Sequence, residues 1–238
     1  NKLNTQNLNF TIVTASDTSH FLSLKQLITS IIKFEPKANL IVYDLGLSKD
    51  ELIDLKQNFN NINIKKFRFE EYPEHVHLSS QDNGAYAWKP IIINETINSV
   101  KGTLIWMDAG NVITKNLRTI KKYIKIIGFY SPLSSENIKK WSHPRTLSAI
   151  NFPKTDLNKR NLNAAIVGIN YNSKYIDLIS KWKELSLDKE FILPDGANIT
   201  NHRWDQTLLT LLFYKEYKKL FFLRTYNVFG IRVHQDID

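Results

Sequence analysis

An α/β fold, with a mainly parallel (mixed) central sheet flanked by helices, follows from two features of the sequence. Short apolar runs at Phe10 to Ala15, Leu40 to Tyr43 and Ile62 to Phe67 alternate with helix-length amphipathic stretches. Strands buried on both faces of a parallel sheet read as continuous apolar runs, and strand–helix–strand order implies right-handed crossovers. A further run, Thr103 to Met107, stops abruptly at Asp108-Ala109-Gly110, so a carboxylate stands where α/β sheets collect ligands, beyond the carboxyl ends of their strands. As an isolated feature, Asp108 could equally begin a turn, because Asp, Gly and Asn all favour turns.

The elements follow in order. After the first strand, Ser16-Asp17-Thr18-Ser19 offers N-cap candidates for a helix from about Ser19 to Phe34. Phe21, Leu24, Leu27, Ile28, Ile31 and Ile32 form its apolar stripe, and Pro36 closes it. The second strand ends at Asp44, and Leu45-Gly46-Leu47 turns into a helix capped by Ser48. Ile62 to Phe67 is the third strand. Periodicity then dissolves from Phe69 to Asn83, a length at which loops are usually either functional or disordered. Tyr86-Ala87-Trp88-Lys89-Pro90 opens a helix reaching Ser99, which puts Lys89 near an N-terminus, where anions gather, although a surface lysine is the commoner fate of any single Lys.

Past the Asp108 turn, Leu117 to Ile127 reads as a helix and Phe129-Tyr130-Ser131 as the start of a strand. Pro132 to Leu162 is polar and irregular, and a lid over a substrate is one expectation for it. Asn163 to Asn170 is a strand whose small residues suit a close backbone approach. Ser173 to Leu185 is amphipathic, Arg203-Trp204-Asp205-Gln206 opens an apolar helix through Tyr214, and Leu220 to Leu223 is a short strand. Neither a repeat nor a linker interrupts the pattern, so one domain over 1–238 is expected.

The 238 residues carry a formal charge of +9, which favours anionic partners: nucleotides, phosphorylated lipid, an anionic membrane surface or nucleic acid. Nucleic acid rests on charge alone, with no recognisable motif, and is set aside. No apolar run approaches the roughly 20 residues that span a bilayer. Cysteine is absent, which removes disulfides and thiolate metal sites and fits a reducing compartment. A cytoplasmic location is therefore expected, with peripheral attachment at a membrane surface left open; the first residue is Asn1 rather than Met, so a preceding anchor is left open too.

The sequence lacks a Gly-rich phosphate loop, a Gly-x-Ser-x-Gly elbow and a His-Glu-x-x-His pair. What remains is a set of acids at strand ends, Asp17, Asp44 and Asp108, followed later by Asp205 and His234. That set suits a nucleotide diphosphate held through a divalent cation, whose charge, with a nearby Lys or Arg, stabilises a departing diphosphate without a protein nucleophile. Asp205 could orient or deprotonate an acceptor hydroxyl, or merely complement a helix dipole. His143 and His202 read as structural.

Seven short motifs stand in register: Thr14-Ala15-Ser16, Tyr43-Asp44-Leu45-Gly46-Leu47-Ser48, Tyr72-Pro73 with His75-Val76, Tyr86-Ala87-Trp88-Lys89-Pro90, Trp106-Met107-Asp108, Ser142-His143-Pro144 and His202-Arg203-Trp204-Asp205-Gln206. Together, from about Phe10 to Tyr214, they resemble an uncharacterised family related to nucleotide-sugar glycosyltransferases of the A-type (GT-A) fold. The resemblance implies a donor-binding half over about 1–115 and an acceptor half over about 116–238. It implies transfer of a sugar from a nucleotide diphosphate to a hydroxyl of a glycan, lipid-linked or polysaccharide acceptor. Thr14, Ala15, Asp17 and Asp44 would line the base and ribose, beside Trp106 and Met107, and Lys89 would meet phosphate or sugar. Asp108 stands at the acidic metal motif, with Asn111 and His234 as further ligands for Mn²⁺ or Mg²⁺, while Asp205 faces the acceptor. The usual motif is Asp-x-Asp, whereas this chain has Asp108-Ala109-Gly110. That departure leaves a rival expectation, a catalytically silent nucleotide- or glycan-binding relative.

Overall fold

The computed structural model describes residues 10–217 and 229–238. In chain order the strands are β1 (Phe10–Asp17), β2 (Asn39–Gly46), β3 (Ile62–Lys66), β4 (Thr103–Met107), β5 (Val112–Ile113), β6 (Phe129–Tyr130), β7 (Leu133–Asn137), β8 (Arg160–Leu162), β9 (Ile166–Asn170) and β10 (Ile231–Arg232). Six of them form the central sheet, in the order β3-β2-β1-β4-β9-β6. The pairs β3–β2, β2–β1 and β1–β4 are parallel, while β9 runs antiparallel to both β4 and β6. The sheet is thus mixed, with its parallel part in the N-terminal half. β5 pairs with β10 and β7 with β8 in two small antiparallel ribbons.

The local signals act as their chemistry demands. Ser48 caps the Lys49–Asn58 helix in a reciprocal box, its hydroxyl accepting from the Glu51 N–H while the Glu51 carboxylate accepts from the Ser48 N–H. The Phe21–Phe34 helix ends two residues before Pro36. Its start differs from expectation: a short 3₁₀ turn, Thr18–His20, intervenes, and His20 is the N-cap without a side-chain bond. The reason is that the Asp17 carboxylate is engaged by Ser19 Oγ at 2.6 Å and His20 Nδ1 at 3.3 Å. Ile32, at the edge of the stripe, remains exposed.

One core lies on each face of the sheet, and the two-residue period of a strand divides its side chains between them. Val13, Ala15, Leu104 and Trp106 join Ile91, Trp182 and Leu208 on one face. Ile12, Ile105 and Met107 join Leu24, Ile28 and Ile120 on the other.

Residues 132–162 are ordered rather than irregular. They form the β7–β8 ribbon and two short helices, Ile138–Trp141 and Pro144–Ala149. The ribbon is fixed to the Trp204–Glu216 helix, because the Leu162 N–H donates to Thr210 Oγ1 and the Tyr214 hydroxyl donates to the Arg160 carbonyl. None of these residues lines the cleft described below, so the expectation of a lid is corrected. The strand expected over Leu220 to Leu223 lies outside the described residues. Among the described residues, no helix is long and apolar enough to cross a membrane.

Candidate functional site

A cleft of about 320 Å³ opens at the carboxyl ends of β1 and β4. Its lining draws on both halves of the chain: Ala15, Asp17, Lys89, Asp108 and Asn111 from one, Ala165, Arg203, Asp205 and His234 from the other.

Lys89 is the centre of the site. It sits in the first turn of the Trp88–Val100 helix, and its side chain is only 5% exposed. Its Nζ is 3.0 Å from Asp108 Oδ1 and 3.3 Å from Asp205 Oδ2. Burial alone would pull the ammonium's pKa down, but the Asp108 and Asp205 carboxylates more than offset this and hold it above its ordinary value. The faces of Tyr86 and Trp106 flank the charge at 5.5 and 5.9 Å.

The two carboxylates differ. Asp108 is about a third exposed toward the cleft, and the Trp106 Nε1–H donates to its Oδ1 at 2.7 Å. Asp205 is buried, and its Oδ2 is paired with Lys89 at an angle that makes no hydrogen bond. Burial pushes the Asp205 carboxyl up to about 6, the Lys89 charge opposes that rise, and the Asp108 charge adds to it. The Trp182 Nε1–H donates to the Asp205 carbonyl at 2.8 Å and anchors the start of this helix.

The backbone around the triad is strained. Asp82, Asn83, Gly84, Ala85 and Tyr86 all have positive φ, between 51° and 68°, forming a left-handed turn directly before the Lys89 helix. For residues other than glycine such conformations cost about 1–2 kcal/mol each, and they gather at functional sites. A Cβ on Gly84 would lie 2.2 Å from the Val76 carbonyl oxygen, so this position admits glycine only. Trp204, beside Asp205, has φ 40°, and its buried Nε1 has no partner among the described residues.

The remaining expected residues divide by strand parity. Ala15 and Trp106 line the cleft, whereas Thr14 and Met107, one position away, face the opposite core. Neither can touch a ligand in this cleft by its side chain. Asp44 does not line it either: its Oδ1 accepts from the Gly46 and Leu47 N–H groups and so shapes the turn after β2. Asp17 lines the cleft at the end of β1. Asn111 is buried, its Nδ2 donating to the Ala165 carbonyl at 2.8 Å, while its Oδ1 has no partner among the described residues. His234 reaches the cleft from the C-terminal segment. Among the described residues no three His, Cys, Asp or Glu side chains stand close enough together to hold a metal unaided. The structural reading of His143 and His202 holds. His143 accepts from the Arg145 N–H at the start of a helix, and His202 is buried between the His143 N–H and the Ile192 carbonyl.

Sequence reasoning missed Asn83, Arg203, Trp204 and Asp236 as lining residues. Arg203 and Trp204 adjoin Asp205 within one motif, and Asp236 lies two residues past His234, so proximity was the only available signal.

The sheet order, with its parallel N-terminal half and antiparallel β9, and an acid closing β4 define a GT-A-type fold, the fold of many nucleotide-sugar glycosyltransferases. Solved structures with that fold match most of the chain. The bifunctional glycosyltransferase WbbM in its apo form is 15% identical with a TM-score of 0.60, covering 91% of this chain. This chain spans only 39% of the WbbM chain. The galactosyltransferase LgtC, in complex with donor and acceptor sugar analogues, is 17% identical with a TM-score of 0.53, over 85% of this chain and 70% of its own. Core-mannan synthase A (CmsA/Ktr4) from Aspergillus fumigatus, in its Mn/GDP form, is 8% identical with a TM-score of 0.52, over 90% and 71%. Residues 1–94 match a family described as a protein of unknown function, DUF1647. No curated protein sequence matches the chain.

Proposed function

We propose that this protein is a glycosyltransferase that moves a sugar from a nucleotide diphosphate donor to a hydroxyl of a glycan, lipid-linked or polysaccharide acceptor. The observation that carries the reading is the buried Lys89 ammonium set between Asp108 and Asp205 at the ligand edge of the sheet. The donor enters along β1 and β4. Ala15 and Asp17 bound the nucleoside end, and Asp108 faces the diphosphate. The Lys89 charge stabilises negative charge as the sugar–phosphate bond breaks. Asp205 sits across the ammonium from Asp108, where it orients a sugar or acceptor hydroxyl. Its proton affinity, centred on about 6, also suits it to take up a hydroxyl proton near neutral pH.

The residues present fit a divalent cation in part. Asp108 is open to the cleft, and the buried Asn111 Oδ1 is an orphaned oxygen acceptor of the kind that hard cations take. Mg²⁺ in phosphate sites is commonly held by one or two carboxylates plus the substrate's phosphate oxygens, so a sparse protein donor set suffices. Such an ion would neutralise the diphosphate. His234 is a further candidate ligand from the C-terminal segment.

A thermal-shift panel of nucleotide-sugar donors, followed by donor hydrolysis and transfer assays, tests the reading, because ligand binding to the native state raises its melting temperature. Asp108→Asn is expected to abolish hydrolysis and transfer; full activity in that variant removes Asp108 from the role. Binding across the panel without any turnover supports the silent-relative alternative, which the lone acid of Asp108-Ala109-Gly110 motivates.

A further inference from the structure

Gly110 occupies the place where an Asp-x-Asp motif carries its second acid, and the structure shows why a side chain is missing there. Its φ lies outside the left-handed region, so its backbone conformation does not require glycine. Its space is taken instead. A Cβ built on Gly110 would fall 2.2 Å from Asp236 Oδ1 and 2.5 Å from Asp236 Cγ and Oδ2. The carboxylate absent from position 110 is replaced, in the same volume, by one from the other end of the chain.

The segment bearing Asp236 is fastened in this position. β10 pairs with β5, and the Gln235 N–H donates to the Gly110 carbonyl at 2.7 Å. Gln26 Nε2 donates to the Gln235 carbonyl, and the Ile237 N–H donates to Ser23 Oγ. The Asp238 carboxylate accepts from the Leu22 N–H at 2.7 Å. His234 has φ 56°, a left-handed conformation uncommon outside glycine. A second observation points to a ligand at the same place: the Asn111 Oδ1, next in the chain to Gly110, is buried and unpartnered among the described residues although Asn111 lines the cleft.

We propose that Asp236 is the second acid of a split metal motif, so that a divalent cation is held by Asp108, the Asn111 Oδ1 and Asp236, with donor diphosphate oxygens completing its shell. The inference rests on the proposed donor site and adds to it a ligand from position 236, where the Asp-x-Asp pattern expects one at position 110. It also assigns the C-terminal segment a part in donor binding.

Mn²⁺ titration followed by electron paramagnetic resonance tests this directly, on the full chain, alone and with UDP, GDP, ADP, CDP or dTDP. One Mn²⁺ is expected to bind, more tightly with the preferred diphosphate. Asp236→Ala is expected to weaken Mn²⁺ binding by about tenfold or more. Gly110→Asp in the Asp236→Ala background, which returns the acid to its usual position in the vacated space, is expected to restore affinity to within about threefold. Asp195→Ala, which removes an exposed carboxylate from outside both the cleft and the C-terminal segment, is the control and is expected to leave Mn²⁺ affinity unchanged. Wild-type Mn²⁺ affinity in folded Asp236→Ala overturns the proposal, as does failure of the exchanged pair to recover binding. Absence of Mn²⁺ binding by the wild type with every diphosphate also overturns it. Donor binding and transfer in EDTA would then still uphold the glycosyltransferase reading, so the two fail separately.

Discussion

Replacing Lys89 by Met is the perturbation that most directly examines the centre of the site. Met preserves most of the buried volume and removes only the charge. At 3.3 Å and an effective dielectric constant of about 20, the Lys89–Asp205 attraction alone is about 5 kcal/mol before desolvation is counted. Removing one partner of a buried pair costs about 3–5 kcal/mol, because the other charge is left uncompensated. For a chain of this size that corresponds to a fall in melting temperature of roughly 10 °C. The penalty has a pH signature. Asp205 already holds its proton up to about 6 with the ammonium beside it, and without that charge its proton affinity rises further. The deficit measured by urea unfolding should therefore be largest above pH 7 and shrink toward pH 5, where the carboxyl is neutral. The double variant Lys89→Met/Asp205→Asn should recover at least half of the loss. A single variant that loses less than about 1 kcal/mol at pH 7.5, or a double variant as unstable as the single, refutes the reasoning.

Two buried groups titrate in the same acidic window with opposite signs. The Asp205 carboxyl rises from 3.8 to about 6 on folding, so its unfavourable contribution is absent below 3.8 and grows as pH rises to about 6. Burial lowers the His202 imidazole to about 4, so its contribution is complete above 6.5 and is lost as pH falls toward 4. Each is worth about 3 kcal/mol across its window; Asp205→Asn should make stability fall more steeply on acidification than in the wild type, and His202→Gln should make it fall less steeply. Parallel unfolding curves for all three proteins between pH 4 and 6.5 would contradict both assignments. Gly84→Ala is expected to cost about 3 kcal/mol or more in chemical denaturation, combining left-handed backbone strain with the contact against the Val76 carbonyl. Asp44→Ala should cost about 1–2 kcal/mol through the two N–H groups it leaves unpaired, while donor affinity changes less than twofold in calorimetry, since Asp44 lies outside the cleft.

The parallel strands, their crossover helices and the acid closing β4 were legible because each leaves a local mark: continuous apolar runs, a Ser48–Glu51 capping box, an abrupt Met107-Asp108 boundary. Parity was not legible. When a strand is apolar on both faces, nothing in its pattern tells which face meets the cleft, so the sequence alone groups Thr14 and Met107 with Ala15 and Trp106 although they point the other way. Asp44 illustrates a different limit, because a strand-end carboxylate has the same sequence signature whether it meets a ligand or closes a turn. The orderly packing of residues 132–162 depends on Thr210 and Tyr214, far along the chain, and long-range hydrogen bonds leave no periodic trace. Asp236 was hidden for the same reason: its role depends on the Gly110 volume, which only the folded chain brings beside it.

The aromatic rings around Lys89 give this protein a built-in optical readout. Trp88 and Trp106 stand 6.0 Å apart and Tyr86 and Trp204 5.9 Å apart, so three of the chain's five indoles border the cleft. A uracil or guanine ring arriving there would quench their emission, and displacement of the Lys89 charge would shift its wavelength. Unlabelled protein in a cuvette could thus rank nucleotides by affinity before any acceptor had been identified.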